Sequence, residues 1–207
     1  MSRCRHGFRR IGATGAMALA LAELASCACA ADTGNSQDTQ RILAAIDRSA
    51  ARRSEADRRA AQEMNTQGDL AYRKGDYRSA FTAYSNSYPN YPTAHAYILA
   101  GDAHWRDVVQ YAREHPPPSS PGPAACVLDN RYFAHDLSAD VAQHHAVGIA
   151  LANRAGQGRQ ATDPLISRAR ESADCLLGLA KRYEQQPPAT CVDMSTLQRC
   201  LGEPLVP

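Results

Sequence analysis

Long apolar runs, ligand-spaced cysteines and lysine are what this chain lacks, and each gap removes a class of protein. The longest apolar stretch, Ile11 to Ala22, covers twelve residues, roughly 18 Å as a helix against a hydrocarbon core of ~30 Å. A transmembrane anchor is therefore not expected. No Cys-x-x-Cys or His-x-x-x-His pair supports a zinc site, no Gly-x-Ser-x-Gly marks a serine nucleophile, and no glycine-rich loop could cradle a phosphate. Only two lysines stand beside 21 arginines. Residues 1–26 hold four of the 23 basic residues and one of the 21 acidic ones, leaving 19 against 20 in the remainder. That near-neutral balance gives no electrostatic footprint for nucleic acid or anionic lipid.

The N-terminus has a three-part layout. Arg3, Arg5, Arg9 and Arg10 form a cationic segment, the short apolar run follows, and small residues come after Glu23. This is the pattern of a secretory signal peptide over residues 1–30, and it implies export from a bacterial cytoplasm. Two processing schemes stay open. Ala28-Cys29-Ala30 fits cleavage after Ala30, and Leu24-Ala25-Ser26-Cys27 fits a lipobox with acylation at Cys27. In an oxidising compartment Cys126, Cys175, Cys191 and Cys200 are expected to form two disulfides, with three connectivities possible. The expected location is the periplasm or beyond, with an outer-membrane lipid anchor as the second form.

Past a short polar tether at 31–39, residues 40–74 read as nearly uninterrupted helix, with no proline and only Gly68. A second amphipathic helix spans Tyr77 to Tyr88, where Tyr77, Phe81 and Tyr84 make one apolar stripe. Residues 116–125 form a Pro/Gly/Ser-rich loop. The pattern predicts a helix over Asp136 to Asn153, and another over Asp163 to Gln185 that starts from an Asp-Pro cap. A short helix near Met194 to Leu201 closes the 126–207 segment.

The most informative feature is a repeat. Gly68-Asp69-Leu70-Ala71-Tyr72-Arg73 returns 33 residues later as Gly101-Asp102-Ala103-His104-Trp105-Arg106. A period of about 33–34 residues points to stacked helical hairpins. With Gly68 at the first glycine, Gly75 at the turn, Ala80 and Tyr84 on the second helix and Pro92 at the close, residues 61–94 resemble the tetratricopeptide repeat family. Residues 95–106 carry a partial second copy. Gln67, Ala71 and Ser87 depart from the usual residue types.

The resemblance implies an all-α fold, a short stack of helical hairpins, and the four cysteines imply that its C-terminal helices are stapled by disulfides. It also implies a protein- or peptide-binding scaffold or adaptor rather than an enzyme, with no cofactor and no metal. In that family the first helix of each hairpin lines a concave groove, which nominates Asn65, Asp69, Tyr72 and Arg73, followed by Asp102, Trp105 and Arg106. Trp105 beside Arg106 would be either a binding hot spot or filling between hairpins. A fixed subunit of an envelope secretion or assembly complex is the alternative. A third reading, an envelope enzyme, would draw on His135, His144 and His145. Asp140 with His144, and His104 with Asp107, could meet on helix faces, which is ordinary surface pairing.

Overall fold

A capping signal decides where the first helices divide. In the computed structural model, which describes residues 36–115, 128–129, 136–156, 163–186 and 191–205, the helix expected over 40–74 is two helices, α1 (Ser36–Ala50) and α2 (Glu55–Arg73). Ser54 stands between them. Its hydroxyl accepts from the Asp57 amide at 3.2 Å, while its own amide donates to the Asp57 carboxylate at 2.7 Å. This reciprocal capping box satisfies two backbone groups that a continuous helix would not need capped. The segment proposed as a tether is also shorter than expected, because α1 begins at Ser36 and Thr39 is buried.

The next boundaries follow the sequence closely. Gly75, at φ +74°, ends α2 as the left-handed residue of a Schellman turn. Its amide bonds the Tyr72 carbonyl and the Asp76 amide bonds that of Ala71, both at 3.0 Å. Asp76 caps α3 (Tyr77–Ser87) and Thr93 caps α4 (Ala94–Glu114). Helix α5 (Ser138–Arg154) stops before Gly156, at φ +79°. The Asp163-Pro164 start expected for α6 (Pro164–Glu184) is present, with the Asp163 side chain accepting from the Leu165 amide. A two-residue antiparallel pair, β1 (Leu128–Asp129) with β2 (Cys191–Val192), precedes α7 (Met194–Arg199). The protein is all-α apart from that short pair among the described residues.

Consecutive helices α2 to α6 pack as antiparallel neighbours. A β-carbon on Gly68 would lie 2.6 Å from the Tyr84 ring, and one on Gly101 would lie 2.9 Å from the His145 ring. The two repeat glycines therefore do the same work, letting a partner helix approach closely. In the second hairpin that partner is α5. Tyr84 follows Gly68 by 16 residues and His145 follows Gly101 by 44, so the second connection carries 28 more residues. That insertion explains why the repeat pattern fades after residue 106. Helix α1 lies against α5, where Leu43 meets Tyr97 and Val147 in one buried cluster.

Helix α7 packs on α4 and α6, joining Trp105, Val109, Leu176 and Leu197 in the largest apolar cluster. A disulfide, Cys175–Cys200, ties the end of α7 to α6. Cys191 is disulfide-bonded as well. The segment expected to be a signal peptide at 1–30, Cys27, Cys126, His135 and the segment expected to be a Pro-rich loop at 116–125 lie outside the described residues.

Candidate binding groove

Tyr72 and Arg106 meet because α2 and α4 both pack on α3 and their long side chains reach across to one another. The Tyr72 hydroxyl donates to the Asp102 carboxylate. It accepts from Arg106 Nε at 2.8 Å and from the Leu205 amide at 3.2 Å. Arg106 Nε also reaches Asp102 at 2.6 Å, and the guanidinium sits 5.9 Å and 5.8 Å from the ring centres of Tyr72 and Tyr77. The hydroxyl thus uses its one donor and both acceptor positions. Burial pushes the Asp102 carboxyl above the usual carboxylate range, while the Arg106 charge and the Tyr72 bond pull it back.

This arrangement corrects the expectation of an open groove face. Tyr72 is 2% exposed, Asp102 4%, Trp105 1% and Arg106 8%. Trp105 is not an exposed hot spot. It fills the interface beneath α7, and its indole N–H donates to the Leu197 carbonyl at 3.0 Å. The two copies also fail to stack as equivalent sets. Asp69 turns to the other helices, accepting from the Tyr84 hydroxyl at 2.7 Å and lying 2.9 Å from His95 Nε2. Arg73 is on the exposed side of α2, and Asn65 is half-buried. Three of the seven nominated residues, Tyr72, Asp102 and Arg106, form one hydrogen-bonded knot.

The covering element is the chain's own end. After Cys200 the backbone turns at Gly202, φ +57°, and residues 201–205 cross α4, α6 and α2. Arg106 Nη2 donates to the carbonyls of Leu201 at 3.1 Å and Gly202 at 3.2 Å. Arg168 Nη1, from α6, donates to those of Glu203 and Pro204, both at 3.2 Å. With Tyr72 and the Leu205 amide, each of the five tail residues has a main-chain group held by a side chain of α2, α4 or α6. Leu201 packs on the cluster around Trp105, and Leu205 on those containing Tyr72, Leu99 and Ile98. Gly202, Glu203 and Pro204 remain exposed. Beside this strap lies a cleft of about 300 Å³, lined by Asp102, Arg168, Glu171, Arg199, Glu203 and Leu205 among others.

No family model, no curated protein and no solved structure matches this chain. The site has to be read from its own geometry. Arg168 and the strap were absent from the sequence reading, since nothing in Leu201-Gly202-Glu203-Pro204-Leu205 says which helices it crosses.

Of the two histidine pairs expected, Asp140 with His144 is present and His104 with Asp107 is not. His104 Nδ1 lies 2.8 Å from the Asp140 carboxylate rather than on Asp107, which faces Arg78 at 3.6 Å. His144 Nδ1 donates to the Asp140 carbonyl at 2.9 Å and lies 3.6 Å from its carboxylate. Burial would raise the Asp140 carboxyl, but the His104 hydrogen bond and the neighbouring imidazoles hold it below the usual range. His145 is fully buried against Gly101, with neither ring nitrogen hydrogen-bonded among the described residues. Desolvation, with His144 adjacent, lowers it to about 4. Among the described residues no group of three or more His, Cys, Asp or Glu side chains is arranged to hold a metal ion.

Proposed function

We propose that this chain is an exported, tetratricopeptide-like scaffold or adaptor that binds a non-helical segment of a partner protein in the bacterial envelope. The observation that carries the reading is the set of side chains from α2, α4 and α6 reaching the main chain of one non-helical strap. Backbone-directed contacts of this kind hold a peptide largely independently of its side chains, while pockets at its ends supply preference. The secretory layout of residues 1–30 and the disulfide-bonded cysteines support an envelope location. No helix among the described residues is long and apolar enough to cross a membrane.

A second reading, a fixed subunit of an envelope secretion or assembly complex, has one observation in its favour. Between α1, α5 and α6 lies a mainly apolar cleft of about 300 Å³ lined by residues including Ala146, Ile149, Asn153 and Leu177. Photo-crosslinking in the native envelope separates the two. A crosslinker at Glu171, on the groove cleft, should yield one discrete partner adduct. An adduct from Asn153 alone favours the subunit reading, and no adduct from either position sinks both.

A further inference from the structure

From the strap itself we infer that residues 201–205 are an exchangeable occupant of the groove, holding in cis the place that a partner's non-helical segment takes. The inference rests on the peptide-binding reading above and adds the ligand's pattern and its control. Every polar contact to the strap from Tyr72, Arg106 and Arg168 goes to a backbone group, so another sequence with glycine at the second position, where φ is +57°, could make the same five bonds. Side-chain anchoring comes from two residues only, Leu201 and Leu205. The three residues between them face solvent. A ligand of this groove is therefore a non-helical segment with apolar residues at its first and fifth positions and glycine at its second.

Leaving the groove does not require the fold to open. The Cys175–Cys200 disulfide fixes the chain immediately before the strap, so α7 stays on α4 and α6 while residues 201–205 depart. The same anchor keeps the released strap close. It returns as an intramolecular competitor at an effective concentration on the order of millimolar. An incoming peptide thus binds with an affinity reduced by the fraction of molecules whose groove is empty. Exposed strap residues and the adjoining cleft offer the entry point.

The test uses the full oxidised chain and, as probe, a fluorescein-labelled heptapeptide with the sequence of residues 201–207, followed by fluorescence polarisation. Leu205→Asp removes the strap's far anchor and leaves Tyr72, Arg106 and Arg168 unsubstituted. It should tighten probe binding by about tenfold or more relative to wild type. Adding Arg168→Ala to that variant should loosen it again. Equal affinity for wild type and Leu205→Asp overturns the exchange inference and leaves peptide binding standing. No binding by either chain overturns the peptide-groove reading itself. A second measurement needs no variant. Saturating probe should speed hydrogen exchange at the Leu205 amide of the wild-type chain, and unchanged exchange there also overturns the inference.

Discussion

Replacing Tyr72 by Phe removes one oxygen atom from the centre of the knot and leaves the ring in place. No cavity forms, so any loss of stability reports the hydroxyl alone. That hydroxyl donates to Asp102 and accepts from Arg106 Nε and the Leu205 amide. Asp102 keeps its 2.6 Å contact with Arg106, and the Leu205 amide can find water at the groove edge. The unreplaced loss is one buried hydrogen bond to a charged acceptor, a class that contributes ~1.5–3 kcal/mol. We therefore expect destabilisation of about 2 kcal/mol. With a urea m-value of about 2 kcal/mol/M, the midpoint should fall by about 1 M. The assay is urea unfolding of the oxidised protein at pH 7, followed by far-ultraviolet circular dichroism. Gln67→Ala, at an exposed position on the same helix, serves as control and should change stability by less than about 0.5 kcal/mol. A Tyr72→Phe midpoint within about 0.2 M of wild type, roughly a fifth of the expected shift, would refute the knot as a stabilising element.

Three further outcomes follow from the packing. Gly68→Ala should cost about 2 kcal/mol despite a better helix propensity, because its methyl meets the buried Tyr84 ring at 2.6 Å; Gly178→Ala, with open space around it, should instead add about 0.5–1 kcal/mol in thermal unfolding. His145 titrates near 6.5 when unfolded and at about 4 when folded, so its share of stability is complete above pH 6.5 and is lost as pH falls toward 4. Between pH 7 and 5 this amounts to about 2 kcal/mol in urea midpoints, and His145→Leu should flatten that slope. Non-reducing peptide mapping should recover Cys175 linked to Cys200 and Cys191 linked to Cys126, with no free thiol among the four. The Cys175–Cys200 bridge, 25 residues apart, should contribute about 3.5 kcal/mol, and a fragment joining Cys175 to Cys191 would refute this pairing.

Local signals made most of the helices legible. Asp163-Pro164 starts α6, Gly75 ends α2, and the Tyr77, Phe81 and Tyr84 stripe places α3, since caps, left-handed turns and apolar periodicity act over a few residues. One local signal was passed over: Ser54-x-x-Asp57 is a capping box, and reading it would have divided α1 from α2. The repeat also pointed to Tyr72, Asp102 and Arg106 as neighbours, because a 33-residue period brings equivalent helices near one another.

What the repeat left open is which way each copy faces and what lies on top of it. Asp69 and Asp102 occupy equivalent sequence positions yet bond different partners. Tyr84 and His95 are near the first, whereas Tyr72 and Arg106 are near the second. Of the two roles open to Trp105, hot spot or buried filling, the structure takes the second, because α7, about ninety residues further on, covers it. By itself the sequence determined most of the helix boundaries, the hairpin spacing and a set of seven residues that includes the knot, all matters of near-neighbour chemistry. Only the tertiary structure decided that the groove is covered, that Arg168 belongs to it and that Cys175 pairs with Cys200, because each depends on the chain's last residues returning across helices distant in sequence.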